Sequence, residues 1–229
     1  MIDSQAFFIT GTDTEIGKTT IASALLRAFA MQGWSTVGMK PIAAGASLHH
    51  GQWCNEDVDA LDAASTVHPP LALRCPYLMR TPAAPHLAAQ MEHITLDETL
   101  ILQRFALLRE TAQRVVVEGV GGFRVPLNDR YDTADLAVAL NLPVILVVGL
   151  RLGCINQALL TQEAIASRGL TLVGWVANST QNDMALESDN IAALAQRLSA
   201  PCLGHVPRLK EAQLAQAHAY LDITRMTAA

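Results

Sequence analysis

Hydrophobic residues form short continuous runs along the chain, and these alternate with longer stretches of helical periodicity. The runs at 115–117 and 143–148 have no polar face, which is typical of strands buried on both sides. In the stretch that follows the first run, Ile21, Leu25 and Phe29 recur at helical spacing. Buried strands alternating with helices predict an α/β fold with one doubly wound, mostly parallel sheet and helices on both faces.

The pattern predicts six strands and six helices. The strands are expected at 6–9, 36–39, 115–117, 143–148, 172–177 and 202–206. The helices are expected from Lys18 onward and at 57–65, 96–113, 133–140, 155–167 and 186–198. The polar stretch 45–56 is predicted to be an exposed loop, and the proline-rich stretch 69–85 fits neither pattern. No low-complexity linker or internal repeat divides the chain, so we predict one domain over residues 1–229.

Composition narrows the class of protein. The 229 residues are 51% hydrophobic, carry a formal net charge of −5 and contain no Lys/Arg run, which argues against a nucleic-acid partner. No apolar run has transmembrane length and the first residues lack a secretion signal, so we expect no membrane association. The scattered cysteines have no CxxC spacing, which argues against a zinc or disulfide framework and favours the cytoplasm. They are Cys54, Cys75, Cys154 and Cys202.

The segment 11–19, Gly-Thr-Asp-Thr-Glu-Ile-Gly-Lys-Thr, connects the first predicted strand to the first helix. A glycine loop followed by Lys-Thr at a helix start indicates a phosphate-binding loop, whose backbone N–H groups and helix dipole attract phosphate oxygens. Lys18 is placed to reach the terminal phosphates and Thr19 to coordinate Mg²⁺. Five residues separate the two glycines, whereas the usual pattern has four.

Charged residues follow two further predicted strands, at the edge where such sheets bind ligands. Lys40 follows 36–39, and a second ammonium there would stabilise charge developing in phosphoryl transfer. Glu118 follows 115–117 and precedes a Gly-Val-Gly-Gly turn, which favours a role in holding Mg²⁺. Asp57 is a further candidate metal ligand, although its pattern does not distinguish it from Glu56 and Asp59.

The predicted helix start at 153–156 offers free N–H groups that suit an anion such as a substrate carboxylate. Cys154 lies within it, but without a histidine nearby in sequence we interpret this thiol as structural. The seven histidines show no metal-ligand spacing.

Together these segments resemble the dethiobiotin synthetase family. The matching stretches lie in the family's order over nearly the whole chain, and the five-residue gap in the phosphate loop is itself a family trait. They are 10–19, 40–45, 117–122, 152–156 and 174–178.

The resemblance implies an ATP- and Mg²⁺-dependent cyclo-ligase of biotin biosynthesis with a P-loop NTPase fold. Its substrates would be 7,8-diaminononanoate, CO₂ and ATP, joined through a carbamate and a carbamic–phosphoric anhydride. It also implies a homodimer with the active site at the subunit interface.

The resemblance also implies roles for individual residues. Lys18 and Lys40 match the catalytic lysines, and the Mg²⁺ ligands match Thr19, Asp57 and Glu118. The phosphate side of ATP matches Glu15, Ile16, Gly17, Lys18, Thr19, Thr20, Asp57, Glu118, Gly119, Val120 and Gly121. The adenine end matches Asn178, Ser179, Pro207, Arg208 and Leu209. Substrate contacts match Ala44 and, from the partner subunit's helix start, Gly153, Cys154, Ile155 and Asn156.

Two positions depart from the family pattern. Ala44 stands where members often have a serine that contacts the substrate, and Val120 replaces a common alanine near the phosphates. These departures leave open a paralogue with a different substrate. Two other functions remain as alternatives: a nucleotide-switch ATPase of the partitioning and site-selection kind, and a small-molecule kinase. Switch ATPases usually carry an additional lysine early in the loop, where this chain has Thr12. Small-molecule kinases usually have an arginine-rich lid, and no such cluster occurs in the sequence.

Overall fold

A computed structural model describes residues 4–180 and 184–226 of the chain. The predicted domain 1–229 therefore includes residues 1–3, 181–183 and 227–229 that lie outside the described part. The strands are β1 (Gln5–Gly11), β2 (Thr36–Met39), β3 (Ile42–Ala43), β4 (Ser47–His49), β5 (Gln52–Cys54), β6 (Tyr77–Leu78), β7 (Arg114–Glu118), β8 (Val144–Leu150), β9 (Leu172–Ser179) and β10 (Cys202–Val206). The helices are α1 (Lys18–Met31), α2 (Glu56–Ala64), α3 (Leu71–Arg74), α4 (Pro85–Met91), α5 (Glu98–Arg109), α6 (Thr133–Leu140), α7 (Cys154–Ser167) and α8 (Glu187–Ala195), with 3₁₀ helices at Glu211–Tyr220 and Ile223–Arg225.

The central sheet has six parallel strands in the order β10-β9-β8-β1-β7-β2. Every side chain of β8 is buried, as expected for a strand covered on both faces. Alternate residues of β1 pack into different cores, with Phe8 on one face and Phe7 and Ile9 on the other. The predicted doubly wound, mostly parallel α/β fold is confirmed.

The order of the strands places a crevice beside β1. The chain leaves β1 on one side to form β2 and β7, and it returns on the other side to form β8. Loops after these strands diverge at that point, which is where open α/β sheets bind ligands. The segment 12–17 follows β1 there and leads directly into α1.

Helix starts in this fold fall into two kinds. Asn55, Asp97 and Asp132 cap α2, α5 and α6 by accepting backbone N–H groups of the first turn. In contrast, α1 and α7 begin after Gly17 and Gly153, each in the left-handed conformation, and no side chain of the described residues caps them. At α7 the Cys154 N–H already donates to the Arg151 carbonyl at 3.0 Å, so the N–H groups left for an anion are those of the first turn of α1 and those of Ile155 and Asn156.

The structure differs from the sequence prediction mainly in the segment between β2 and β7. The predicted loop at 45–56 contains the hairpin of β4 and β5, whose strands are exposed and short. The unassigned stretch 69–85 contains α3 and β6, and β6 pairs with β3. The helix predicted at 96–113 is shorter, from Glu98 to Arg109. Asp97 caps its first turn, and the helix ends four residues before the predicted end.

Candidate active site

A cavity of about 900 Å³ lies over the carboxyl ends of β1, β2 and β7. Its walls include the two predicted catalytic lysines, the predicted substrate contact Ala44 and most residues predicted for the phosphates and the metal. They are Lys18, Lys40, Ala44, Glu15, Gly17, Thr19, Thr20, Asp57, Glu118, Val120 and Gly121. Pro82–Pro85, Asp13, Gly122 and Val125 also line it, and sequence analysis missed them. In the sequence, the Pro-Ala-Ala-Pro run at 82–85 is the only sign of this part of the cavity wall.

Lys18 is held inside the phosphate loop. Its ammonium donates to the carbonyl oxygen of Asp13 at 2.8 Å, and the residue is only 6% exposed. Burial, and after it the nearby Lys40 ammonium, lower the pKa of Lys18 to about 8, against the opposite effect of Glu118 and Asp57. A phosphate would offset this burial, so the arrangement favours an anionic ligand.

Lys40 forms a buried cluster with two carboxylates. Its ammonium lies 2.5 Å from Glu118 Oε1 and 2.9 Å from Asp57 Oδ2, and it also donates to the Gly119 carbonyl at 3.3 Å. Lys40 is 3% exposed and Glu118 is 1% exposed. Burial alone would lower the pKa of Lys40, but the two carboxylates outweigh it and raise that pKa. Lys40 is therefore charged, and its single positive charge is shared by the two carboxyl groups.

Thr19 joins the same cluster from the start of α1. Its hydroxyl oxygen lies 2.7 Å from Asp57 Oδ1 and 2.9 Å from Glu118 Oε1. Glu118 Oε2 is buried without a hydrogen-bond partner among the described residues. Two carboxylates and a hydroxyl are the oxygen ligands that Mg²⁺ prefers, so the donor set fits a magnesium ion bound together with phosphate oxygens. Asp57 reaches the cluster, whereas Glu56 and Asp59 are exposed.

The remaining residues predicted for the phosphates, Ile16, Gly119 and Gly121, have only main-chain atoms to offer a ligand. Ile16 is buried, so only its main chain can face a ligand. Gly119 packs closely on Phe8 and Ile9 and donates its N–H to the Ile9 carbonyl at 2.9 Å. Gly121 has a φ of 65°, which favours glycine.

A second cavity of about 230 Å³ continues beyond the phosphate loop. It brings together the residues predicted for the adenine end: Asn178, Ser179, Pro207, Arg208 and Leu209. Glu15, Gly17 and Thr20 line both cavities, so the two are adjacent. The size and continuity suit an extended ligand with a phosphate tail in one cavity and a flat base in the other.

Comparisons with known proteins identify the family. The AAA domain family model matches residues 5–216. The ATP-dependent dethiobiotin synthetase BioD of Aromatoleum aromaticum is 55% identical over 223 residues, which cover 97% of this chain and 99% of that protein. The protein of the same name from Ralstonia nicotianae is 52% identical over 221 residues and is covered to 96%, as is this chain. The chain belongs to the dethiobiotin synthetase family.

Solved structures with the same fold are much less similar to this chain in sequence. MinD of Pyrococcus horikoshii OT3, solved with Mg-ADP, has a TM-score of 0.58 at 13% identity and covers 97% of this chain and 88% of its own. A ParA family ATPase from Chlorobium tepidum TLS has a TM-score of 0.57 at 10% identity, with 96% and 91% covered. At such low identity the likeness concerns the fold alone, which is that of P-loop NTPases.

The residues predicted for the substrate lie in two separate places. Ala44 lines the larger cavity, and its carbonyl accepts the Asn55 amide at 3.2 Å, so this oxygen is already engaged. Gly153 to Asn156 lie at the start of α7, outside the lining of that cavity. Cys154 is fully buried in an apolar cluster with Leu146 and Trp175, which agrees with a structural thiol.

The lowered pKa of Lys18 gives the nucleotide-free protein a distinct pH dependence. The folded pKa is about 8 and the ordinary value is 10.5, so the unfolded chain binds more protons between these values. Stability therefore rises with pH across this window. Between about pH 7.5 and pH 9.5 we expect wild type to gain about 2 kcal/mol relative to Lys18→Met.

Urea unfolding at a series of pH values measures this gain. Lys210→Met removes an exposed lysine and is the matched control, which we expect to follow wild type. A constant difference between wild type and Lys18→Met would mean that Lys18 does not titrate in this range.

Proposed function

We propose that this protein is an ATP-dependent dethiobiotin synthetase that closes the ureido ring of dethiobiotin from 7,8-diaminononanoate, CO₂ and ATP. The observation that carries the proposal is the convergence of Lys18, Lys40 and the Thr19–Asp57–Glu118 cluster on one cavity. Identity above 50% to proteins named ATP-dependent dethiobiotin synthetase, over nearly the whole chain, supports it. We further propose that residues 1–229 are one ATP-binding domain, since the family model spans 5–216.

The reaction would proceed without a covalent enzyme intermediate. One substrate amine adds to CO₂ and loses a proton, which gives a carbamate. A carbamate oxygen attacks the γ-phosphorus of ATP, so that ADP leaves and a carbamic–phosphoric anhydride forms. The second amine then attacks the anhydride carbonyl carbon and expels phosphate as the ring closes. Catalysis in this scheme is positioning and charge stabilisation.

The lysines supply the positive charge in this scheme. Lys18 would bind the terminal phosphates of ATP from within the loop. Lys40 would stabilise the charge that develops on the transferred phosphoryl group, and that group would compete with Asp57 and Glu118 for its ammonium. Thr19, Asp57 and Glu118 would hold Mg²⁺, which neutralises phosphate charge when bound. The base would occupy the smaller cavity, against Asn178, Ser179, Pro207, Arg208 and Leu209.

The test is a stoichiometric assay. The protein is incubated with ATP, Mg²⁺, bicarbonate and 7,8-diaminononanoate, and ADP and dethiobiotin are quantified together. We expect equal amounts, with ADP release dependent on the diamine. ADP release that ignores the diamine would favour the nucleotide-switch alternative instead. Failure of the diamine with success of a related amine would identify a paralogue, for which Ala44 and Val120 are the departures to examine.

We propose a homodimer in which the partner's Gly153–Asn156 segment binds the substrate carboxylate. The uncapped start of α7 supports an anion there, and the segment lies outside the cavity of its own chain. Leu152, directly before it, is 96% exposed, which suits a residue covered by a second copy. We also propose a cytoplasmic location, which the four free thiols support. Within the described residues no helix is both long and apolar enough to span a membrane.

A charge at Leu152 tests the dimer. In Leu152→Asp the carboxylate would have to be buried between subunits, so we expect the dimer dissociation constant to rise at least about tenfold. Sedimentation equilibrium measures this constant. Met31→Asp is the matched control, because Met31 is also strongly exposed but lies at the far end of α1. A wild-type monomer, or a Leu152→Asp dimer as tight as wild type, would contradict this interface.

A further inference from the structure

Asn178 connects strand β9 to the phosphate loop, which follows β1 two strands away in the sheet. It is the penultimate residue of β9 and is 6% exposed. Its side-chain amide donates to the carbonyl oxygen of Ile16 at 2.8 Å, across 162 residues of sequence. A buried carbonyl without a partner is costly, so this hydrogen bond favours one position of the loop.

The Ile16 side chain fixes the same point of the loop from the opposite direction. It is 2% exposed and fills space that only glycines leave open. A Cβ atom at Gly11 would lie 2.6 Å from the Ile16 side chain, and one at Gly149 would lie 2.5 Å from it. The loop is therefore held through the Ile16 side chain on one side and through its carbonyl on the other.

Gly17 completes this arrangement. Its φ of 84° favours glycine, and a Cβ atom there would overlap the Asn178 amide nitrogen. Asn178 thus packs directly against the residue that precedes the first turn of α1. The N–H groups of that turn are the ones expected to meet phosphate.

Asn178 also lines the smaller cavity, with Ser179 and residues 207–209. A carboxamide has two N–H donors and one acceptor oxygen, and Ile16 uses one donor. The same side chain therefore has a donor and an acceptor left for a ligand in that cavity. Within the described chain, no other side chain from β9 onward in the smaller cavity hydrogen-bonds the loop.

From these contacts we infer that Asn178 is a positioning residue, through which the base end of the nucleotide site sets the shape of the phosphate loop. The inference rests on the proposed function only in assigning the two cavities to one nucleotide. A ligand base that engages Asn178 would hold its side chain, and thereby Ile16, in the phosphate-binding arrangement. Base recognition would then strengthen phosphate binding as well as adding contacts of its own.

Inorganic triphosphate with Mg²⁺ separates the two roles, because it has no base. If Asn178 only contacts the base, removing its amide leaves triphosphate binding unchanged. If it positions the loop, Asn178→Leu, which keeps the size but not the hydrogen bond, weakens triphosphate binding by about five- to tenfold in calorimetry. Leu214→Ala is the matched control: it changes another wall of the same cavity at a residue with no proposed ligand role, and we expect wild-type affinity for triphosphate.

Hydrogen exchange of the loop amides gives a second readout that needs no ligand. We expect residues 13–19 to exchange faster in Asn178→Leu and in Asn178→Ala than in wild type, whereas Leu214→Ala should exchange like wild type. Wild-type exchange in a folded Asn178 variant, or wild-type triphosphate affinity, would overturn the inference. A wild-type protein that binds neither ATP nor triphosphate would instead count against the proposed function.

Discussion

Lys40→Gln is expected to lower dethiobiotin formation about 10²- to 10³-fold, because a preorganised charge at the transferred phosphoryl group is worth that much. The side chain lies in a buried cluster with Asp57 and Glu118 and lines the larger cavity. Lys18 and the loop remain, so the affinity for ADP should change little. Product formation at saturating ATP and calorimetric binding of ADP measure the two effects separately.

Lys40→Gln should also change the free energy of unfolding, by an amount that depends on pH. Burial already raises the pKa of Glu118 above its ordinary value of 4.5, and Lys40 opposes this rise. Without the ammonium that pKa rises further, so the folded variant holds a proton that the unfolded chain releases. The stability of the variant relative to wild type should therefore fall as pH rises above 4.5 and through the raised pKa of Glu118. Thermal unfolding of the variant and of wild type, at about pH 5 and at about pH 8, measures this change.

Two further variants separate catalysis from folding. Lys210→Gln removes an exposed lysine and should match wild type in both assays. Lys40→Gln combined with Glu118→Gln removes the buried charge and should regain much of the stability without regaining turnover. Wild-type turnover in folded Lys40→Gln would remove this residue from the mechanism.

Gly17→Ala is expected to lower ATP affinity at least about 100-fold. The alanine Cβ would overlap the Asn178 amide nitrogen, and the φ of 84° is unfavourable for any residue with a Cβ atom. Relief of the overlap would displace the loop or Asn178, and both line the nucleotide cavities. Calorimetric titration with ATP and Mg²⁺ measures the loss.

Gly33→Ala is the matched control for Gly17→Ala. Gly33 has a nearly identical φ of 86°, but nothing lies within 4 Å of its missing Cβ atom. Both variants should lose about 1 kcal/mol of stability from backbone strain, but only Gly17→Ala should lose ATP affinity. Equal ATP affinity in the two variants would show that the fit between Gly17 and Asn178 is unimportant for the nucleotide.

Sequence analysis predicted the parallel sheet because its strands are buried on both faces. A strand such as β8 has to be a continuous apolar run, and the helices around it keep their periodicity. The short strands β3 to β6 lack such a signal, since two or three residues carry no period. Helix α4 was also missed, because the prolines around its start indicated a loop as readily as a first helical turn.

The candidate site shows a similar division. Glycine spacing and residues at strand ends indicated Lys18, Lys40 and Glu118, because local sequence determines where a parallel strand ends. The contacts between them depend on tertiary structure: Thr19 and Glu118 are 99 residues apart, and Asn178 and Ile16 are 162 apart. The pattern around Asp57 did not distinguish it from Glu56 and Asp59, whereas the structure does so through the Lys40 ion pair.

The contacts of Ile16 with Gly11, Gly149 and Asn178 are needed to hold the phosphate loop in shape, so the loop depends on parts of the protein outside it. Transplanting residues 11–19 into the strand–helix junction of an unrelated host would carry over Gly11 and Gly17 but leave Gly149 and Asn178 behind. In a host with a larger residue next to Ile16, the grafted peptide would be pushed out of shape before any ligand arrived. Engineering a nucleotide site from this fragment would therefore require the ends of β8 and β9 as well.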